Sequence, residues 1–341
     1  MPVAFCVLAA GCGSSQAGHG HLATTGHGGA TSSASAAPPA VITPGEARKV
    51  VDNYVATLNR ANKARDARIL GTVETDSNYR LGSEAYGFTK ISDPPNHTYA
   101  HPVVMTDTAL YIPGQTSGAP WWAARITWSK GRPADSALAE IVVFTKVGGR
   151  WAAARRPSLL PKSGLPAVTE QRGVATELSA SQASALAVQP SQLASQAATY
   201  LDQLTTPRCP RAGLCTHRSP PTVTVPRASS LTDMQDLSFW KKQTRGTVGL
   251  ADLHSATSDR TFALTTANGG ALVWCDVSAE LSLTPPGGAT MDIQIPTFYT
   301  KGHPVTEASV PYLTQLLVYD PPRGQGTARV IGHLTGPVAK G

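Results

Sequence analysis

Residues able to do chemistry are sparse in this sequence, and their spacing limits what each can do. Five cysteines occur, at Cys6, Cys12, Cys209, Cys215 and Cys275. No two form a C-x-x-C pair, so neither zinc-ribbon nor thioredoxin chemistry is encoded. Cys209 and Cys215 bracket CPRAGLC, a short loop that a disulfide can close in an oxidising compartment; two free thiols are the alternative. Cys275, in ALVWCDVSAEL, reads as a small buried apolar residue. Ser238-Phe239-Trp240-Lys241 spells S-x-x-K, in which a lysine can activate a serine, but the S-D-N and K-T-G partners are missing. His97 and His101 stand four apart, which on a helix is one face; Pro94, Pro95 and Pro102 argue for a loop instead. Asp252 and His254 alternate onto one strand face without a nucleophile placed to use them. There is no G-x-S-x-G, H-E-x-x-H, Walker or G-x-G-x-x-G pattern. No catalytic residue, no metal ligand and no cofactor is therefore assigned, and the chain is not expected to be an enzyme.

The densest aromatic group is Trp121-Trp122 with Tyr111 and Trp128. A concave sheet uses such residues either to fill a core or to line a pocket or partner contact. Consecutive tryptophans in a strand face opposite sides, so one of the pair is expected to be exposed or under a loop.

Cys12 has a different context. Residues 2–11 form an apolar run too short to span a bilayer but suited to the h-region of a signal peptide. Ala9-Ala10-Gly11 supplies the small residues a signal peptidase needs, and AAGC resembles the lipobox of bacterial lipoproteins. That resemblance implies that Cys12 is acylated on its sulfur and becomes the mature N-terminus. The usual Leu, Val or Ile three residues before the cysteine is replaced by Ala9, and no Lys or Arg precedes the run. The signal peptide over 1–11 is thus expected to be incomplete at its start. Residues 12–41 follow as a Gly/Ser/Ala/His tether, too poor in apolar surface to offset its ordering entropy. His19, His21 and His27 in it lack any carboxylate or thiolate companion and read as low-complexity residues.

These residues must be positioned by elements that begin abruptly after the tether. Thr43-Pro44-Gly45-Glu46 reads as a capping box, and Ala47, Val50, Val51, Tyr54, Leu58 and Ala61 recur at helical spacing to about Lys63. A short helix, DARILGTV, is expected next. From Asn78 the pattern is read as strands: VVMTDTALYIP, WWAARITWS, ALAEIVVFTKV and GRWAAARRPSLL, with Gly148-Gly149 as a hairpin turn. Residues 161–188 read as a linker. Pro190 then opens a second amphipathic helix, SQLASQAATYLDQL, followed by further strands with a turn at Asn268-Gly269-Gly270. The expected fold is α+β in two domains, 42–160 and 189–338, each a long amphipathic helix on a curved antiparallel sheet.

TPGEARKVVDNYVATLNRANKARDARILGTVE, the W-W-A-A strand and the ANGGALV hairpin resemble an actinobacterial lipoprotein family of unknown function over roughly 42–335. The two halves also resemble, in architecture alone, nuclear transport factor 2-like and cystatin-like folds. Neither resemblance implies catalytic residues.

The bulk numbers fit this picture. Charged residues are 15% of 341, against about 25% in an average soluble protein. A net charge of +7 suits a chain beside anionic lipid or wall polymer. No Lys/Arg run of nucleic-acid type is present, and no nucleic-acid partner is expected. The expectation is a lipid-anchored protein on the extracytoplasmic face of the cell membrane, binding an unknown envelope protein or small ligand. A hydrolase of wall or envelope substrates and a structural spacer are the alternatives.

Overall fold

Thr43 closes a reciprocal cap: its hydroxyl accepts the Glu46 N–H at 3.3 Å, and the Glu46 carboxylate accepts the Thr43 N–H at 3.1 Å. Helix α1 (Pro44–Ala64) starts there and buries Ala47, Val51, Tyr54, Leu58 and Ala61 along one face. The computed structural model describes residues 39–114, 118–129, 138–161, 163–205, 222–224, 249–257, 260–291 and 304–339. Cys12, Cys209, Cys215, the tether and the S-x-x-K segment lie outside the described residues.

After α1 come the short α2 (Ala67–Leu70) and then α3 (Asp76–Ser92). The third helix corrects the sequence reading, which places strands from Asn78 onward. Its buried face is built from Ser77, Asn78, Leu81, Tyr86 and Thr89, so half of it is polar and no apolar period announces it. Arg65 ties α3 to α1, donating to the carbonyls of Thr89, Asp93 and Pro94 at 2.9, 2.8 and 3.0 Å.

Four antiparallel strands follow, β1 (Val104–Tyr111), β2 (Trp121–Ser129), β3 (Leu138–Val147) and β4 (Arg150–Arg155). The β3–β4 turn has Gly148 and Gly149 at φ 56° and 83°, as the Gly-Gly pair predicts. The segment read as a linker holds β5 (Ser158–Leu159), the small hairpin of β6 (Glu170–Gln171) and β7 (Val174–Ala175), and α4 (Ala180–Ala183). Then come α5 (Pro190–Thr205), β8 (Val223–Thr224), β9 (Gly249–Ala256), β10 (Phe262–Thr265), β11 (Ala271–Thr284), β12 (Ala308–Asp320) and β13 (Ala328–Pro337).

Among the described residues, all of these strands except the β6–β7 pair join one mainly antiparallel sheet of 11 strands, β1-β2-β3-β5-β13-β12-β11-β10, with β4, β8 and β9 attached at its side. Two-residue β5 is the join: Ser158 pairs with Glu140 of β3 and with His333 of β13, and Leu159 pairs with Gly332. A Cβ on Gly332 would stand 2.8 Å from the Ser158 carbonyl oxygen, so the join requires glycine there. The fold is α+β, but residues 37–341 form one compact unit rather than two domains separated by a linker.

Packing explains the fusion. One sheet face of the first half, Trp122, Ala124, Ile126, Val142 and Phe144, meets α1. In the second half, Val273, Cys275, Val277 and Leu316 meet Leu193, Ala197 and Leu201 of α5. The reverse faces meet each other: Trp121, Ala123, Ile141 and Val143 share a third core with Phe262, Leu272, Trp274 and Leu317. Runs such as IVVF (141–144) and ALVWC (271–275) are buried at every residue for this reason. No helix among the described residues is long and apolar enough to cross a membrane.

Candidate functional site

Glu74, Glu140 and Arg156 come from three different elements, and the first half of the fold gathers them at the floor of one cavity, with Tyr54 bonded to Glu74 behind it. Helix α1 places Tyr54 and Leu58 over the sheet, the turn after α2 supplies Glu74, β3 supplies Glu140, and the chain between β4 and β5 supplies Arg156. The cavity has a volume of about 610 Å³ and lies between α1–α3 and the sheet. Its helix walls are Leu58, Leu70, Leu81, Ala85, Tyr86 and Phe88. Tyr99, His101 and Val103 close it on the loop side, and Trp128, Leu138, Tyr312 and Leu334 on the sheet side. Room at the polar end depends on Gly82: a Cβ there would come within 2.6 Å of Leu70 Cδ2 and 3.0 Å of Glu74 Oε2.

Glu74 is 2% exposed and accepts the Tyr54 hydroxyl at 3.0 Å through Oε1. Its Oε2 makes no hydrogen bond among the described residues. Burial pushes its carboxyl up to about 7, and the Glu140 charge adds to the rise while Arg156, the Tyr54 hydroxyl and the Asn78 side chain oppose it. Glu140 is held at both oxygens, by the Trp128 indole N–H at 2.7 Å and the Ser158 hydroxyl at 3.4 Å. Arg156 Nε is 3.8 Å from Glu140 Oε2, an ion-pair distance but not a hydrogen bond. Burial works against the guanidinium charge, and the Glu140, Tyr54 and Glu74 oxygens hold it protonated. The Arg156 main-chain N–H donates to Gln315 Oε1 at 2.6 Å, and the Gln315 amide donates to Ser77 at 2.8 Å, so β12 fixes this backbone. Burial also raises the Tyr86 and Tyr99 phenols, which pack edge to face at 5.5 Å and stay neutral. The site is an apolar chamber with one half-buried cation and two carboxyl groups at one end. No serine or cysteine is among its described lining residues.

The structure separates the four aromatics singled out in the sequence. Trp128 lines the cavity and orients Glu140. Trp122 is fully buried on the α1 side, stacked on Phe144 at 4.4 Å. Trp121 faces the opposite side under the 165–178 segment, its indole N–H donating to Glu177 at 3.0 Å. Tyr111 packs half-buried beside it. His97 and His101 lie on a loop as expected, and only His101 reaches the cavity. His254 pairs with Asp202 of α5, Nδ1 to Oδ1 at 2.7 Å; the Asp252 side chain falls outside the described residues. Cys275 is a buried free thiol whose pKa burial pushes up to about 12.

Sequence reasoning missed Glu74, Glu140 and Arg156. They stand 66 and 16 residues apart, so no motif spacing links them. The available signals were local: Glu140 interrupts the apolar run ALAEIVVF, and Arg155-Arg156 follow the alanines of β4.

No curated protein and no solved structure matches the chain. Residues 38–341 match the family described as Domain of unknown function (DUF8094), and the chain belongs to that family.

Proposed function

We propose that this protein is a lipid-anchored lipoprotein of the cell envelope whose folded part binds a small, largely apolar ligand without transforming it. The observation that carries the binding reading is the cavity itself. Its volume of about 610 Å³ lies within the roughly 300–1,000 Å³ of small-molecule sites, and its mix of apolar walls with a few convergent polar groups is the usual recipe. A structural spacer needs no such chamber. The anchor rests on the sequence: AAGC, with Cys12 after a signal-like run, and a tether reaching to the Thr43 cap. Membership of an actinobacterial lipoprotein family, and a nuclear transport factor 2-like relation for the helix-covered sheet, belong to the same proposal.

A hydrolase of envelope substrates is the second reading, and Glu74 is what favours it. A carboxyl poised at about 7 beside a second carboxylate is suited to general acid–base work. Against it stands the absence of a serine or cysteine among the described lining residues and the engagement of both Glu140 oxygens.

Two expected results test the proposal. In cells given an alkyne analogue of palmitate, the wild-type chain is labelled and Cys12→Ser is not; equal labelling of the two sinks the anchor. Ala85 lines the cavity from α3 and is only half-buried, so Ala85→Trp fills the chamber without disturbing the sheet. Native mass spectrometry of the chain from its own envelope should show a small ligand on the wild type and at least about tenfold less on Ala85→Trp. Equal loading of the two would place the ligand elsewhere. Turnover of wall fragments lost in Glu74→Gln would favour the hydrolase.

A further inference from the structure

The polar end of the cavity holds a guanidinium nitrogen and a carboxyl oxygen that have no hydrogen-bond partner among the described residues, and these name the head group of the occupant; the inference rests on the binding reading above. Arg156 Nε makes no hydrogen bond among the described residues. Acceptors nearby are already engaged. Glu140 holds the Trp128 indole and the Ser158 hydroxyl, and Gln315 Oε1 holds the Arg156 main-chain N–H. A guanidinium offers five N–H donors in a planar fork that fits a carboxylate at two points. Glu74 presents a second opening. Its Oε1 is taken by Tyr54, while Oε2, toward Gly82, is buried and has no hydrogen-bond partner among the described residues. In its protonated form that oxygen is a donor as well.

We propose that the cavity binds a monocarboxylate with an unbranched apolar body, its carboxylate seated on Arg156 and hydrogen-bonded by Glu74, its chain lying on Leu58, Leu70 and Leu81. An ammonium head would meet the Arg156 charge and is disfavoured. A phosphate dianion would add a second negative charge beside Glu140, with only one guanidinium to share.

Affinity is coupled to pH through Glu74. The groups facing it are Tyr54 on α1, Asn78 and Tyr86 on α3, Glu140 on β3, and Arg156; His101 lines the loop side of the same chamber. Below about 7 the Glu74 carboxyl is protonated and donates to the ligand. As pH rises through that value it becomes an anion beside an anion, and binding weakens. Gln at this position is a permanent donor of the same shape.

The test is calorimetric titration of the purified full chain with dodecanoate, dodecan-1-ol and dodecylammonium. Dodecanoate is expected to bind tightest, and more tightly at about pH 6 than at about pH 8. Each added methylene should tighten binding about fourfold until the chamber is full. Arg156→Met should weaken dodecanoate by about tenfold or more and leave dodecan-1-ol unchanged. Arg156→Lys, which keeps the charge but loses the fork, should lie between, and decides the matter if the Met variant does not fold. Glu74→Gln should bind dodecanoate at about pH 8 as the wild type does at about pH 6. Dodecan-1-ol or dodecylammonium binding as tightly as dodecanoate overturns the head-group assignment while leaving the cavity as a binding site. No binding of any of the three to a folded chain overturns both.

Discussion

Asp276→Ala is expected to lower the free energy of unfolding by about 3–5 kcal/mol, the cost of leaving a buried charge without its partner. Asp276 stands in β11, in the middle of a run that is otherwise apolar. Its Oδ2 lies 2.8 Å from Nε of Arg155, at the end of β4, and the two side chains are 0% and 2% exposed. The pair therefore links the two halves of the sheet through the shared core. Arg155 also donates to the Ala154 carbonyl at 2.9 Å and lies over the Phe262 ring at 5.9 Å, so it is fixed by more than its counterion. Deleting the carboxylate leaves the buried guanidinium with the half-exposed Asp76 carboxylate, 3.8 Å from Nη1, a weaker counterion than the one removed. Asp276→Asn keeps an acceptor and should cost less. Replacing both partners by apolar residues, Arg155→Met with Asp276→Leu, should cost less than the sum of the single changes, because no orphan charge remains. Urea unfolding of Asp276→Ala, Asp276→Asn, the double variant and its two single changes measures this. An Asp276→Ala loss within about 0.5 kcal/mol of zero, the range of ordinary surface changes, would show that the pair is not buried as described.

Local features were legible in the sequence, and features made by distant partners were not. The Thr43–Glu46 cap and the helix it starts depend on residues three and four apart, and a reader of the chain can find them. The two glycine hairpins are equally local. Helix α3 was missed because its buried face includes Ser77, Asn78 and Thr89, and because Gly82 sits within it to leave space for the Glu74 carboxyl. The separation into two domains failed for a related reason. IVVF and ALVWC show that both faces of β3 and β11 are covered, but burial on two faces does not say what lies on the second one. In the structure each half covers the second face of the other. The cavity floor was invisible on the same grounds. Glu74, Glu140 and Arg156 look like solvated charges until the sheet brings them together. Of the aromatic candidates, only Trp128 reaches the cavity; Trp121 and Trp122 do face opposite sides, with Trp121 beneath a loop.

Trp274→Ala is expected to cost a comparable amount, about 3–5 kcal/mol, as large-to-small changes in tight cores do. Trp274 is 0% exposed, lies edge to face with Trp121 at 6.2 Å, and donates its indole N–H to the Ile141 carbonyl at 3.3 Å. Those contacts run from β11 to β2 and β3, so the side chain fills the space between the halves. Collapse around the hole is hindered because both walls are sheets held by their own helices. Trp274→Phe should lose only about 1 kcal/mol more than its lost area, the net worth of one hydrogen bond. The form of the transition says more than its position. If the halves unfold as one unit, far-ultraviolet dichroism and the fluorescence of the remaining tryptophans should move together in Trp274→Ala, along one cooperative curve shifted to lower denaturant. With Trp240 changed to Phe in both backgrounds, the tryptophans left in Trp274→Ala are Trp121, Trp122, Trp128 and Trp151, which all report on the first half, while the substitution is made in the second. A fluorescence transition left where the wild type has it, with dichroism alone shifted, would mean that the first half stands by itself. That is the behaviour of two domains, and it would assign the shared core a packing role without a stabilising one. Joint movement would make the third core the reason that residues 37–341 fold as a single unit.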